Sequence, residues 1–152
     1  MLPASVTRYP RKVTDLLIAT DSALVHDQVR SALEGPGVEL RWERAGRRVV
    51  KALQERAADL VVADLQIGSM GGYAVAMDIA LEIGAGRLGP VPVLLLLDRR
   101  ADVFLAKRTG VAGWLLKPLD PLMARAAADA LLAGGNYFDS TSRPVPADIM
   151  AG

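Results

Sequence analysis

Residues 58–72 read ADLVVADLQIGSMGG. An apolar run of strand length ends on Asp64, and the glycine-rich turn QIGSMGG comes next. The run does not alternate between apolar and polar residues. A strand apolar at successive positions is covered on both faces, which points to a parallel sheet inside an α/β domain. The aspartate at its carboxyl end is then the first candidate for chemistry, because open parallel sheets place their sites there.

Working outward, similar runs occur at 14–20 (TDLLIAT), 91–97 (VPVLLLL) and 113–117 (GWLLK), and VELRW at 38–42 alternates with period two. Between them lie stretches with helical spacing. Residues 22–34 carry Val25, Val29, Ala32 and Leu33 on one stripe, with Ser22 as a capping residue and GPG at 35–37 as the stop. Residues 46–57, 73–83, 101–108 and 120–133 are the other predicted helices. The order is β-α five times over. With right-handed crossovers this gives a doubly wound five-stranded parallel sheet. Residues 1–13 are expected to form a loose arm, 14–133 the domain, and 134–152 a coil tail that opens on a double glycine.

Composition narrows the chemistry. The 152 residues contain no cysteine, which excludes disulfides, thiolate metal sites and cysteine nucleophiles. A single histidine, His26, excludes multi-histidine metal sites, and its neighbour Asp27 suggests a surface position. Eighteen basic side chains against 17 acidic ones give +1, too weak a field to attract nucleic acid or an anionic membrane. The uncharged run 65–77 holds three glycines and is too short to span a bilayer, and MLPASVTRYPRK lacks the apolar centre of a signal peptide. The expectation is a soluble cytoplasmic protein. GAGRLG at 84–89 spells a dinucleotide-binding fingerprint, but it comes after a helix and leads through Pro90 into a strand, the reverse of the order that fingerprint needs. It reads as a linker.

The strand ends carry Thr20-Asp21, Asp64, Leu97-Asp98 and Lys117-Pro118. Carboxylates and an amine therefore converge on one edge of the sheet. In these motifs (LLIATD at 16–21, DLVVADLQIGSMGG at 59–72, VPVLLLL at 91–97 and GVAGWLLKPLD at 110–120) the chain resembles the receiver domain of two-component response regulators, the flavodoxin-like, CheY-like (βα)5 fold with strand order 2-1-3-4-5. The resemblance implies that Asp64 accepts a phosphoryl group from a histidine kinase or phosphotransfer protein. It implies that Lys117 pairs with the phosphoryl oxygens, and that Asp21, Asp64 and the backbone carbonyl of Gln66 hold Mg²⁺. Trp114 stands at the place of a switch aromatic, and the Lys117-Pro118 bond is expected to be cis. Such residue types suit the chemistry: a carboxylate nucleophile, with a cation and a lysine to neutralise transferred charge.

Several positions depart from the family pattern. Thr20 replaces the first acidic residue of the usual pair, so Mg²⁺ should bind weakly, with the threonine acting through water. Leu97 replaces the Ser or Thr whose hydroxyl engages the phosphoryl group, and leucine offers no donor. Gly68 replaces a proline and should loosen the loop after Asp64. Trp114 is bulkier than the usual ring. The function expected is that of a stand-alone, non-enzymatic receiver that signals to an unknown output protein, with no direct contact to nucleic acid or membrane. Dimerisation would use the face made by 101–108, 113–117 and 120–133. The alternative is an atypical receiver that works as an interaction module without phosphorylation. A flavodoxin-like cofactor-binding enzyme is disfavoured, because TDSAL after the first strand lacks a Ser/Thr-rich phosphate loop.

Overall fold

The computed structural model describes residues 13–140. The expected arm and the last part of the tail, 141–152, lie outside the described residues. The order is β1 (Thr14–Ala19), α1 (Ala23–Leu33), β2 (Val38–Glu43), α2 (Val49–Glu55), β3 (Leu60–Asp64), α3 (Gly72–Gly84), β4 (Val93–Leu97), α4 (Val103–Thr109), β5 (Gly113–Leu116), α5 (Pro121–Leu132) and β6 (Tyr137–Phe138). Short 3₁₀ turns at Gly46–Arg48 and Arg100–Asp102 lead into α2 and α4. The sheet runs β2-β1-β3-β4-β5-β6, and every pairing is parallel.

The continuous apolar runs are the central strands. All residues of β3 and β4 are buried. Alternate residues feed two cores. Leu17, Val61, Ala63, Leu95 and Leu97 meet Val49, Leu53, Val75 and Ile79 of α2 and α3. Leu16, Ile18, Val62, Leu94 and Leu96 meet Val25, Val29, Ala127 and Leu131 of α1 and α5 on the other face. VELRW alternates because β2 is an edge strand, partly exposed along its length. Ser22 caps α1 by accepting from the Val25 N–H at 3.2 Å, and Asp120 caps α5 with Pro121 in the first turn.

Some boundaries differ from expectation. The helix predicted from residue 46 begins as a 3₁₀ turn, as does the one predicted from 101; Gly46 also lies under the Met70 carbonyl, where a Cβ would come within 2.3 Å of that oxygen. The tail, expected as coil, contributes the sixth strand. Gly134 turns the chain at φ 87. The Tyr137 N–H then donates to the Ala112 carbonyl at 3.0 Å and the Asp139 N–H to the Trp114 carbonyl at 3.1 Å. The Asp139 carboxylate accepts from the Leu116 N–H at 2.9 Å, extending the ladder by one side-chain rung.

Candidate functional site

The sheet delivers Thr20, Asp64, Leu97-Asp98 and Lys117 to its carboxyl edge from four neighbouring strand ends. Asp64 is 1% exposed. Its Oδ1 accepts from Lys117 Nζ at 2.5 Å and from the Gln66 N–H at 3.0 Å. Its Oδ2 accepts from the Thr20 hydroxyl at 2.7 Å. Thr20, fully buried, also accepts from the Ser22 N–H, and its carbonyl accepts from Trp42 Nε1 at 2.7 Å. Trp42 stacks on His26 at 3.9 Å and has the Arg44 guanidinium 4.0 Å from its ring centroid. His26, expected on the surface, is thus partly covered and props the edge of β2 against α1. An aromatic two strands from Asp64 thereby fixes the threonine that touches it.

The glycines of the β3–α3 connection also set the Asp64 position. Gly72 opens α3 directly against the strand end, and a Cβ there would fall 2.7 Å from the Asp64 carbonyl oxygen and 2.8 Å from Leu65 Cα. That close approach requires glycine. Gly68 also has a steric role. A Cβ on it would lie 2.7 Å from Asp21 Oδ2, so the missing side chain makes room for the Asp21 carboxylate. Asp21 is exposed and sits against this loop.

Asp98 is the residue that sequence reasoning passed over. It was visible at the end of β4, next to Leu97, but nothing local assigned it a partner. One of its oxygens accepts from Lys117 Nζ at 3.0 Å and the other from Gln66 Nε2 at 2.8 Å. Gln66 therefore acts through its backbone N–H on Asp64 and through its amide on Asp98. Burial alone pulls the Lys117 ammonium's pKa down. The hydrogen bonds to Asp64 and Asp98, together with their charges, outweigh it and hold the pKa above the ordinary lysine value. Leu97 is wholly buried in the core beneath α3 and α4 and offers the site nothing polar. The Lys117-Pro118 bond is cis, as expected.

An edge of this kind, with a buried carboxylate at the end of β3 tethered to a lysine at the end of β5, agrees with the likeness to known proteins. The response regulator receiver domain family matches residues 16–129. The chain belongs to that family. The receiver is 32% identical over 110 residues to the transcriptional regulatory protein PdtaR of Mycobacterium tuberculosis, covering 72% of this chain and 50% of that protein. It is 26% identical over 136 residues to the transcriptional regulatory protein ZraR of Escherichia coli K12, covering 88% of this chain and 30% of that one. The chain thus spans half or less of the length of these relatives. Among solved structures, the signal receiver domain of a histidine kinase from Syntrophus aciditrophicus superposes with a TM-score of 0.70 at 25% identity, over 87% of this chain and 99% of that one. The isolated receiver domain of RcsB from Salmonella enterica serovar Typhimurium, with a phosphomimetic beryllofluoride, gives 0.69 at 18% identity, over 84% and 94%.

Receiver domains typically bind Mg²⁺ in an acidic pocket and interact with histidine kinases or phosphotransfer proteins, signalling rather than catalysing. At this rim Asp64 is buried, Asp98 is part-exposed and Asp21 is exposed, and each offers hard oxygen donors. No cluster of three acidic or histidine side chains suited to a metal occurs among the described residues. Two carboxylates with water or phosphate oxygens still fit a cation that dehydrates reluctantly. Trp114 is buried beneath Phe138, with ring centroids 4.4 Å apart, and its Nε1 has no hydrogen-bond partner. No helix among the described residues is long and apolar enough to cross a membrane.

Proposed function

We propose that this receiver accepts a phosphoryl group on Asp64 within a two-component relay and passes the signal on by protein–protein contact. The observation that carries the reading is the double engagement of Asp64 Oδ1 by Lys117 and by the Gln66 N–H. This aims a buried carboxylate at the sheet edge beside a fixed positive charge. A carboxylate oxygen of Asp64 forms the new bond to phosphorus while the donor's bond to phosphorus breaks. With acetyl phosphate, acetate leaves with the electron pair. Lys117 neutralises charge on the transferred group. Mg²⁺, held by Asp21 and Asp64 with the Gln66 carbonyl and bound weakly for want of a carboxylate at residue 20, would supply further charge neutralisation. The partners are a histidine kinase or phosphotransfer protein upstream and an output protein downstream, in the cytoplasm, with α4, β5 and α5 as the face for docking or dimerisation.

The test is intact mass after treatment with acetyl phosphate and Mg²⁺, comparing the parent with Asp64→Asn. A gain of one phosphoryl mass in the parent alone is expected. No gain in the parent, or an equal gain in both, refutes Asp64 as the acceptor. A second reading, an interaction module that works without phosphorylation, draws support from the buried Leu97 and from Lys117 already having two carboxylate partners. Under it, Asp64→Asn signals like the parent in cells.

A further inference from the structure

We propose that Asp98 is a switch residue that competes with the phosphoryl group for Lys117, so that its release, rather than the recruitment of a hydroxyl, carries the signal into the segment between β4 and α4. The proposal rests on the acceptor reading of Asp64.

Three observations carry it. First, Leu97 is wholly buried and apolar, so that strand end has no hydroxyl to draw toward a phosphoryl oxygen. Second, the adjacent residue fills the gap with a carboxylate. Asp98 bridges Lys117 on one side and Gln66 on the other, tying the ends of β3, β4 and β5 together. One ammonium thus serves two carboxylates in the resting state. A phosphoryl group on Asp64 adds negative charge beside Asp98 and offers Lys117 a stronger acceptor. The Asp98 contact is the weaker of the two, at 3.0 Å and with a side chain 29% exposed, against a nearly buried Asp64. Asp98 is therefore the partner that leaves.

Third, Asp98 is connected to something that can respond. The next residue, Arg99, gives its N–H to Asp102 Oδ2 at 2.8 Å, closing the 3₁₀ turn ahead of α4. The Asp102 carbonyl accepts from the Tyr73 hydroxyl at 2.6 Å, joining that turn to the first residues of α3. The turn and α4 form one wall of a groove of about 990 Å³, with Phe104 exposed on it and Trp114 and Phe138 on the opposite side. Displacement of Asp98 pulls on the turn through a single intervening residue. Charge repulsion, rather than recruitment by a hydroxyl, frees this segment.

The experiment compares parent, Asp98→Asn, Asp98→Ala and Asp64→Asn, reading intact mass with acetyl phosphate and Mg²⁺ and amide exchange over residues 97–109 before and after. Removing the competitor should speed phosphorylation about threefold to tenfold, the scale of one charge-assisted contact at a part-exposed site. In the parent, exchange over 97–109 should rise on phosphorylation. In both Asp98 variants it should already be raised and change little further. Asp64-dependent labelling at the parental rate, with the same rise in exchange in all three acceptor-competent proteins, overturns this proposal and leaves the acceptor reading standing. No labelling of the parent or of either Asp98 variant overturns both.

Discussion

Replacing Thr20 with aspartate would restore the acidic pair of the family pattern at a position that is now fully buried. The threonine hydroxyl gives Asp64 Oδ2 a hydrogen bond at 2.7 Å. Losing a bond to a charged group costs about 1.5–3 kcal/mol. A second carboxylate within about 4 Å of the first adds about 4 kcal/mol of repulsion at an effective dielectric near 20. Protonation limits that term, because giving an ordinary carboxylate a proton at neutral pH costs about 4 kcal/mol. The sum is about 5–7 kcal/mol. At about 2–4 °C per kcal/mol for a domain of this size, the variant should melt roughly 10–25 °C below the parent in a chelator. Millimolar Mg²⁺ should return about half the loss or less, since saturating a site a hundredfold over its Kd contributes about 2.7 kcal/mol. The parent should respond far less. Thermal melts of both proteins, with chelator and with Mg²⁺ near pH 7 and again near pH 5, supply the measurement. The deficit should shrink at the lower pH as the pair takes up a proton. A variant that melts with the parent in chelator, or a parent that gains as much from Mg²⁺ as the variant, would refute the reasoning.

Gly72→Ala should destabilise the fold by about 1–3 kcal/mol, because the added Cβ meets backbone at 2.7 and 2.8 Å rather than a side chain that can turn away; denaturant midpoints within error of the parent would contradict this. Asp139→Ala should cost about 1.5–3 kcal/mol by orphaning the Leu116 N–H, and amide exchange at Trp114 to Leu116 should accelerate while β1 and β3 stay protected; uniform loss of protection would instead indicate global loosening. Lys117 has a pKa raised in the fold, so the folded chain holds that proton more tightly than the unfolded one. Its contribution to stability is complete below the ordinary value of 10.5 and is lost as pH climbs through the raised value. Tyr73, raised first by burial and then by the Asp102 charge, loses its contribution in the same direction. Denaturation midpoints followed from neutral into alkaline pH should fall more steeply for the parent than for Lys117→Met, and parallel curves would count against the ion pair.

The succession of five strands and five helices was legible because each strand run and each helical stripe is a local pattern, whereas the order of the strands in the sheet came from the family resemblance. Asp64 and Lys117 were legible for the same reason, each closing an apolar run. Asp98 was not, because its role comes from Lys117 nineteen residues away and from Gln66 on another strand end. The direct bond from the Thr20 hydroxyl to Asp64 was not legible either, since only the pairing of β1 with β3 sets that distance. That Gly68 also makes room for the Asp21 carboxylate was not legible, because it depends on where Asp21 points. The sixth strand escaped because two residues carry no period. It is defined by Gly113, whose missing side chain lets the Tyr137 carbonyl approach a would-be Cβ to 2.6 Å.

That sixth strand also sets where the described residues end. α5 runs antiparallel to the strands and finishes at the rim opposite Asp64. Because β6 is parallel to β5, it carries the chain back across the sheet, and Asp139 lands beside Leu116, one residue before Lys117. The described residues therefore end at the rim that holds Asp64 and Lys117, a strand length away from the rim at which α5 finishes.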